Sequence, residues 1–354
     1  MYEREARLAA YGTVSTSLAL LGDRELTGLL ETAVPLGTSI GGTSARLEVE
    51  GTPVFVKHLT LTDLERLPGN THSTANLFGM PPYCQYGIGL IGSPGWGAWR
   101  ELAGHTMATN WTLAGRHPGF PLMYHWRVLP QPASALPDEL ADVDKVVAYW
   151  GGGVEIRRYL EALRDASASV TLFLEHFPHN LHDWLTEQVA AGGETAERAC
   201  AMVERDLLDG VSFMNSRDLL HFDVHFGNIL TDGRRLYFSD FGLSTSPRFA
   251  LSREERDFLR PHRTYDRDHA FTYLMMWLST ALYGARNQEE RVRLIRSWAG
   301  GERPAGVPEG IAAMLTRYSP LAEVMLDFYH RFQNESRKTP YPVAEIEAVS
   351  PPAP

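Results

Sequence analysis

Asp223 and Asn228 stand five positions apart, and Asp240-Phe241-Gly242 follows after a short apolar hairpin. A carboxylate beside an acceptor hydroxyl can orient it and take its proton, while an amide oxygen and a second carboxylate can hold magnesium against phosphate oxygens. That trio is what phosphoryl transfer uses. Asp, Asn and Gly also favour turns for local hydrogen-bonding reasons, so His221-Phe222-Asp223 or Asp240-Phe241-Gly242 alone reads equally well as a turn. Their order, and the hairpin of Ile229-Leu230 and Leu236-Tyr237-Phe238 around Asp232-Gly233, favours the chemical reading.

The run resembles the catalytic and metal-binding loops of the protein kinase-like superfamily, H-x-D-x-x-x-x-N followed by D-F-G. The resemblance implies an α+β, two-lobed protein kinase-like fold, with an antiparallel sheet and a helix in the N-lobe and a mainly helical C-lobe. It implies ATP as donor, Asp223 as the base, and Asn228 and Asp240 as magnesium ligands. The boundaries that follow are a helical extension over 1–33, an N-lobe over 34–175 with insertions at about 67–97 and 130–168, a C-lobe over 176–345 and a loose tail over 346–354.

Two departures refine the resemblance. Phe222 stands where many protein kinases carry arginine, which argues against regulation by a phosphorylated activation segment, and no A-P-E follows the short stretch after Gly242, so the platform that many protein kinases use to hold a peptide is expected to be missing or rebuilt. These features resemble the aminoglycoside phosphotransferase-like branch, so the expected acceptor is a small molecule bearing a hydroxyl, such as an antibiotic or metabolite. A Ser/Thr kinase acting on a peptide, for example a natural-product precursor, is one alternative. A nucleotide-binding pseudokinase is the other. His225 occupies a place where protein kinases commonly carry a lysine. Its imidazole either contacts the transferring phosphate or is a hydrogen-bonded loop histidine.

Other elements must position these groups. Residues 4–33 carry leucines at helix spacing. Gly37, Ser39 and Gly42 open an alternating strand, resembling the superfamily's glycine-rich loop with serine in the middle place, and glycines allow backbone to approach phosphates. Lys57 ends the apolar run of the returning strand, where a lysine needs an anionic partner, and it matches the phosphate-holding lysine of the superfamily. Its glutamate partner is Glu101, on a helix from about 97 to 114, or Glu65, on a shorter segment nearer in sequence. Asp266 or Asp268 either braces the loop around Asp223 or caps a buried helix. The strand ending at Leu174 resembles the hinge, which implies that the backbone of Glu175 and Phe177 meets adenine. Residues 67–97, rich in glycine, proline and aromatics, form an ordered insertion that is either a wall of the acceptor pocket or a scaffold or dimer contact.

At 354 residues, 44% hydrophobic and 21% charged, the chain has the composition of a globular protein with a substantial core. The net charge of −10 argues against a nucleic-acid partner. Cys84 and Cys200 have no metal-ligand or disulfide spacing, and neither an export signal nor an apolar run of membrane-spanning length is present. The expectation is a cytoplasmic protein without a membrane or nucleic-acid partner.

Overall fold

A computed structural model describes residues 2–132 and 135–349. The chain divides into two compact units. One takes the chain up to His176 together with Ser239–Ser252, and the other takes Phe177–Phe238 and the chain from Arg253 onward.

The first unit opens with helices α1 (Tyr2–Leu20) and α2 (Asp23–Leu30), followed by strands β1 (Val34–Ser39), β2 (Gly42–Val49) and β3 (Thr52–Leu61). A single-turn helix α3 (Asp63–Arg66), helix α4 (Ala98–Leu113), strand β4 (Met123–Pro130), helices α5 (Val143–Tyr149) and α6 (Val154–Asp165) and strand β5 (Ala168–Glu175) complete it. All neighbours in the sheet are antiparallel, in the order β1-β2-β3-β5-β4.

Alternation along β3 decides where Lys57 points, because successive side chains of a strand leave on opposite faces. Val54 and Val56 pack with Val14, Leu18 and Leu26 of the two N-terminal helices, together with Leu47, Val49 and Phe173. Leu59 and Leu61 pack on the other face against Ala98, Trp99 and Leu102 of α4, with Val170 and Leu172. Lys57 shares the parity of Leu59 and so faces α4. The N-terminal helices cover the sheet face that carries Val54 and Val56. Leu18 is fully buried there, and Leu18→Ala should cost about 2–5 kcal/mol of unfolding free energy, readable by chemical denaturation.

The insertion between α3 and α4 is an ordered part of this unit. Met80, Cys84, Tyr86, Ile88 and Trp96 are buried, and a 3₁₀ turn over Pro82–Gln85 carries Gln85 inward.

The second unit contains β6 (His179–Asn180), α7 (Leu181–Ala191), α8 (Gly193–Ser216) and the hairpin β7 (Ile229–Thr231) and β8 (Leu236–Phe238), then α9 (Arg253–Leu259), α10 (Tyr265–Tyr283), α11 (Gln288–Ala299), α12 (Glu309–Asn334) and α13 (Val343–Val349). α10 is apolar on nearly every side because it is buried on nearly every side, and Phe271 stacks on Tyr318 of α12 at 4.1 Å. Beyond α12, Tyr341 donates its hydroxyl to Asp268 Oδ2 at 2.6 Å and Ile346 is buried. Helix α13 continues to Val349, within the stretch 346–354 expected as the tail. Residues 350–354 lie outside the described residues. An antiparallel sheet in the N-terminal part and helices in the C-terminal part make the protein α+β, compatible with a kinase-like fold. Among the described residues no helix is long and apolar enough to cross a membrane.

Candidate active site

In the first unit, Lys57 Nζ is buried and lies 2.7 Å from Glu101 Oε1 and 2.9 Å from Asp240 Oδ1. Burial works against the ammonium charge, yet the two carboxylates outweigh it and raise Lys57 above the ordinary lysine value. For Asp240 burial pushes upward, but the charge and hydrogen bond of Lys57, helped by the Gly242 amide and His105, bring the carboxyl down to about 2. Both groups are therefore ionised at neutral pH.

Glu101 reaches Lys57 because α4 covers the face from which Lys57 projects. Glu65, the other candidate, is occupied elsewhere: its carboxylate accepts from the amide and hydroxyl of Thr62 and from the Ala98 amide, capping α3 and the start of α4. Its carboxyl is pushed up by burial, against those hydrogen bonds.

The Asp240-Phe241-Gly242 turn is held from beneath. Phe241 is fully buried with its ring edge-on to His105 at 4.9 Å, and a Cβ on Gly104 would stand 2.6 Å from Phe241 Cβ and 3.0 Å from Ser244 Oγ. Gly104→Ala would gain about 1 kcal/mol of helix propensity. The collision should dominate and give a net destabilisation of about 1–3 kcal/mol in thermal or chemical unfolding. Asp240 itself has φ 62°, a left-handed conformation that a non-glycine residue adopts rarely and at functional turns.

The glycine-rich hairpin contributes through a residue that spacing did not single out. Gly37 and Ser39 lie along exposed β1, and Gly42 packs so closely that a Cβ would meet the His58 carbonyl oxygen. Gly41 is the residue above Lys57: a Cβ there would lie 3.0 Å from Nζ and 3.4 Å from Asp240 Oδ2. The Gly41-Gly42 doublet was the available signal. At the end of β5, the Glu175 amide donates to the Leu122 carbonyl at 2.7 Å, so that amide is already engaged within the sheet. The Glu175 carboxylate takes a two-pronged bond from Arg7 of α1 at 2.8 and 2.6 Å, a partner that no local pattern announces.

In the second unit, Asn228 Nδ2 donates to Asp223 Oδ2 at 2.9 Å and to the Asp223 carbonyl at 3.1 Å. Its amide nitrogen is committed to Asp223, which makes Oδ1 the atom Asn228 would bring to a metal. His225 Nδ1 accepts from the Gly227 amide at 3.0 Å, and Nε2 lies 3.7 Å from Asp223 Oδ2. The loop-histidine role and a contact with phosphate are compatible, since they use different nitrogens. Asp266 accepts from the amides of His221 and Phe222, both at 2.8 Å; it is the brace, and Asp268 holds Tyr341 and Arg267. Phe222 has φ 63° and is wholly buried, stacked on Tyr265 at 4.8 Å. His221 Nδ1 accepts from the Asp223 amide at 3.3 Å. Phe177 packs its ring on Tyr237 at 3.9 Å.

Among the described residues no group of three or more His, Cys, Asp or Glu side chains could hold a metal ion. Magnesium commonly takes only one or two protein carboxylates and completes its shell with water and substrate phosphates, and the ionised Asp240 fits that donor set.

No protein-family model matches the chain. Over 91 residues, 25% of its length, it is 32% identical to human mitogen-activated protein kinase kinase kinase 3 and 31% identical to the mouse protein of that name. The matched stretch covers 14% of each relative. The likeness is to a protein kinase and is confined to a quarter of the chain.

Proposed function

We propose that this protein transfers the γ-phosphoryl group of ATP, with magnesium, to a hydroxyl group of a small-molecule acceptor. The observation that carries the reading is the buried Lys57 paired with both Glu101 and Asp240, an arrangement that leaves a fixed cation and an ionised carboxylate for a polyphosphate and its metal. Magnesium would supply charge neutralisation for the phosphate oxygens. Lys57 would hold phosphate, Glu101 would keep Lys57 in place, and Asp240 and Asn228 would bind the metal. Asp223, its position fixed by Asn228 and by the braced loop backbone, would orient the acceptor hydroxyl and take its proton. Gly41 would bring backbone close to the phosphates, and the Glu175 carbonyl and Phe177 would meet the adenine edge.

A small acceptor is favoured by the stretch after Gly242. Ser244, Thr245 and Ser246 are buried, and residues 243–252 lead straight into α9, which leaves little chain to build a platform for an extended peptide. The similarity to protein kinases supports the second reading, a peptide or protein acceptor. Incubation with labelled ATP and magnesium, against a panel of hydroxyl compounds and Ser/Thr peptides, separates the two. Label on a small molecule is the expected result. Label on peptides alone would replace it with the second reading, and nucleotide binding without transfer to any acceptor or to water would leave a pseudokinase.

A further inference from the structure

Three parts of the first unit surround Lys57: the β1–β2 loop, α4 and the Asp240 turn. The 67–97 insertion touches all three. Gln85, 3% exposed, donates from its amide nitrogen to the carbonyl of Leu243, directly after Asp240-Phe241-Gly242. Thr74 Oγ1 accepts from the Ala250 amide at 2.9 Å, so the segment after the turn is held at both ends. The carbonyl of Thr74 accepts from Arg100 Nε at 2.8 Å, and Arg100 immediately precedes Glu101. Gly92 lies against Ile40, at the tip of the β1–β2 loop, so closely that a Cβ would stand 2.4 Å from Ile40 Cδ1.

We propose that Thr74 and Gln85 are positioning residues that fix the backbone of 241–250, and with it Asp240, beside Lys57. The inference rests on the phosphotransfer reading for its consequence in catalysis, though not for its structural content. Asp240 and Glu101 share one ammonium group, so the place of Asp240 beside Lys57 must be held while a polyphosphate and metal bind there. Residues 243–252 contain no helix and no strand beyond a single bridge residue at Thr245, so regular secondary structure does little to hold it. Backbone hydrogen bonds to a buried amide and a hydroxyl of a packed insertion supply that restraint without any covalent modification of the segment.

The test is the full-length double variant Thr74→Val, Gln85→Met, which keeps side-chain volume and removes one acceptor and one donor. Thr74→Ser with native Gln85 serves as the conservative control. Amide hydrogen exchange should rise at least tenfold across 241–250 in the double variant, stay near the parent value in Thr74→Ser, and leave β7 and β8 unchanged. Calorimetry with ATP should then give an affinity about tenfold weaker in magnesium and within about twofold of the parent without it, because metal binding depends on Asp240. Unchanged exchange over 241–250 in a folded double variant overturns the proposal, and so does an equal affinity loss with and without magnesium. If exchange rises as expected but the parent protein binds no ATP and moves no phosphoryl group, the restraint stands and the phosphotransfer reading is what fails.

Discussion

Asp223→Asn should bind ATP as the parent does and lose about two to four orders of magnitude in turnover, the usual range for removing a positioned proton acceptor. The substitution is close to isosteric, and the retained side-chain oxygen can still accept from Asn228 Nδ2, which lies 2.9 Å from Oδ2 in the parent. The brace from Asp266 to the amides of His221 and Phe222 does not involve the Asp223 side chain. Geometry is thus kept and basicity is lost. Single-turnover transfer to the acceptor found in the labelling screen measures the effect, and a loss below tenfold would remove Asp223 from the role of base.

Asp240→Ala should act on the metal rather than the proton. Lys57 retains Glu101 at 2.7 Å, so the sheet and α4 should remain folded. Nucleotide affinity in magnesium should fall by about tenfold or more, since phosphate charge is left uncompensated, while metal-free affinity changes little. Calorimetry in both conditions decides this, and an equal loss in the two would exclude the metal role. The acid behaviour is a second signature. The Asp240 carboxyl is held at about 2 in the folded protein, so it contributes stability that is complete above its unfolded value near 4 and is lost as pH falls from there toward 2. The melting temperature of the parent should therefore drop more steeply over that window than that of Asp240→Ala.

The parts legible in the sequence were those encoded over short spans. The spacing from Asp223 to Asn228, the Asp232-Gly233 turn, the helix beginning near residue 97 and the buried strand before Glu175 each carry a local pattern, and each element lies where that pattern puts it. Lys57 could be read as needing an anion, but the choice between Glu101 and Glu65 needed the face of β3, which becomes clear only when Val56 and Leu59 are seen on opposite cores. Gln85 with Leu243, Arg7 with Glu175 and Gly104 beneath Phe241 were not legible. Each joins residues more than a hundred positions apart, and neither turn propensity nor periodicity reports on such contacts. Gly41 was missed for a different reason: the motif drew notice to Gly42, whose place is dictated by packing against β3.

The first unit is discontinuous, since it takes in Ser239–Ser252 after the chain has passed through Phe177–Phe238. On the ribosome, the N-terminal helices and the five-stranded sheet would emerge early, yet the ion pair between Lys57 and Asp240 could not form until the intervening stretch had been translated. At about 5–20 residues per second that is a wait on the order of several seconds. During this wait, Gln85 and Thr74 would have no backbone to grip and Phe241 would be absent from beneath α4. A gene cut after His176 would accordingly yield a fragment lacking part of its own interior, and dissection of this protein into two separately expressed halves should give an aggregation-prone first half unless residues 239–252 are supplied to it.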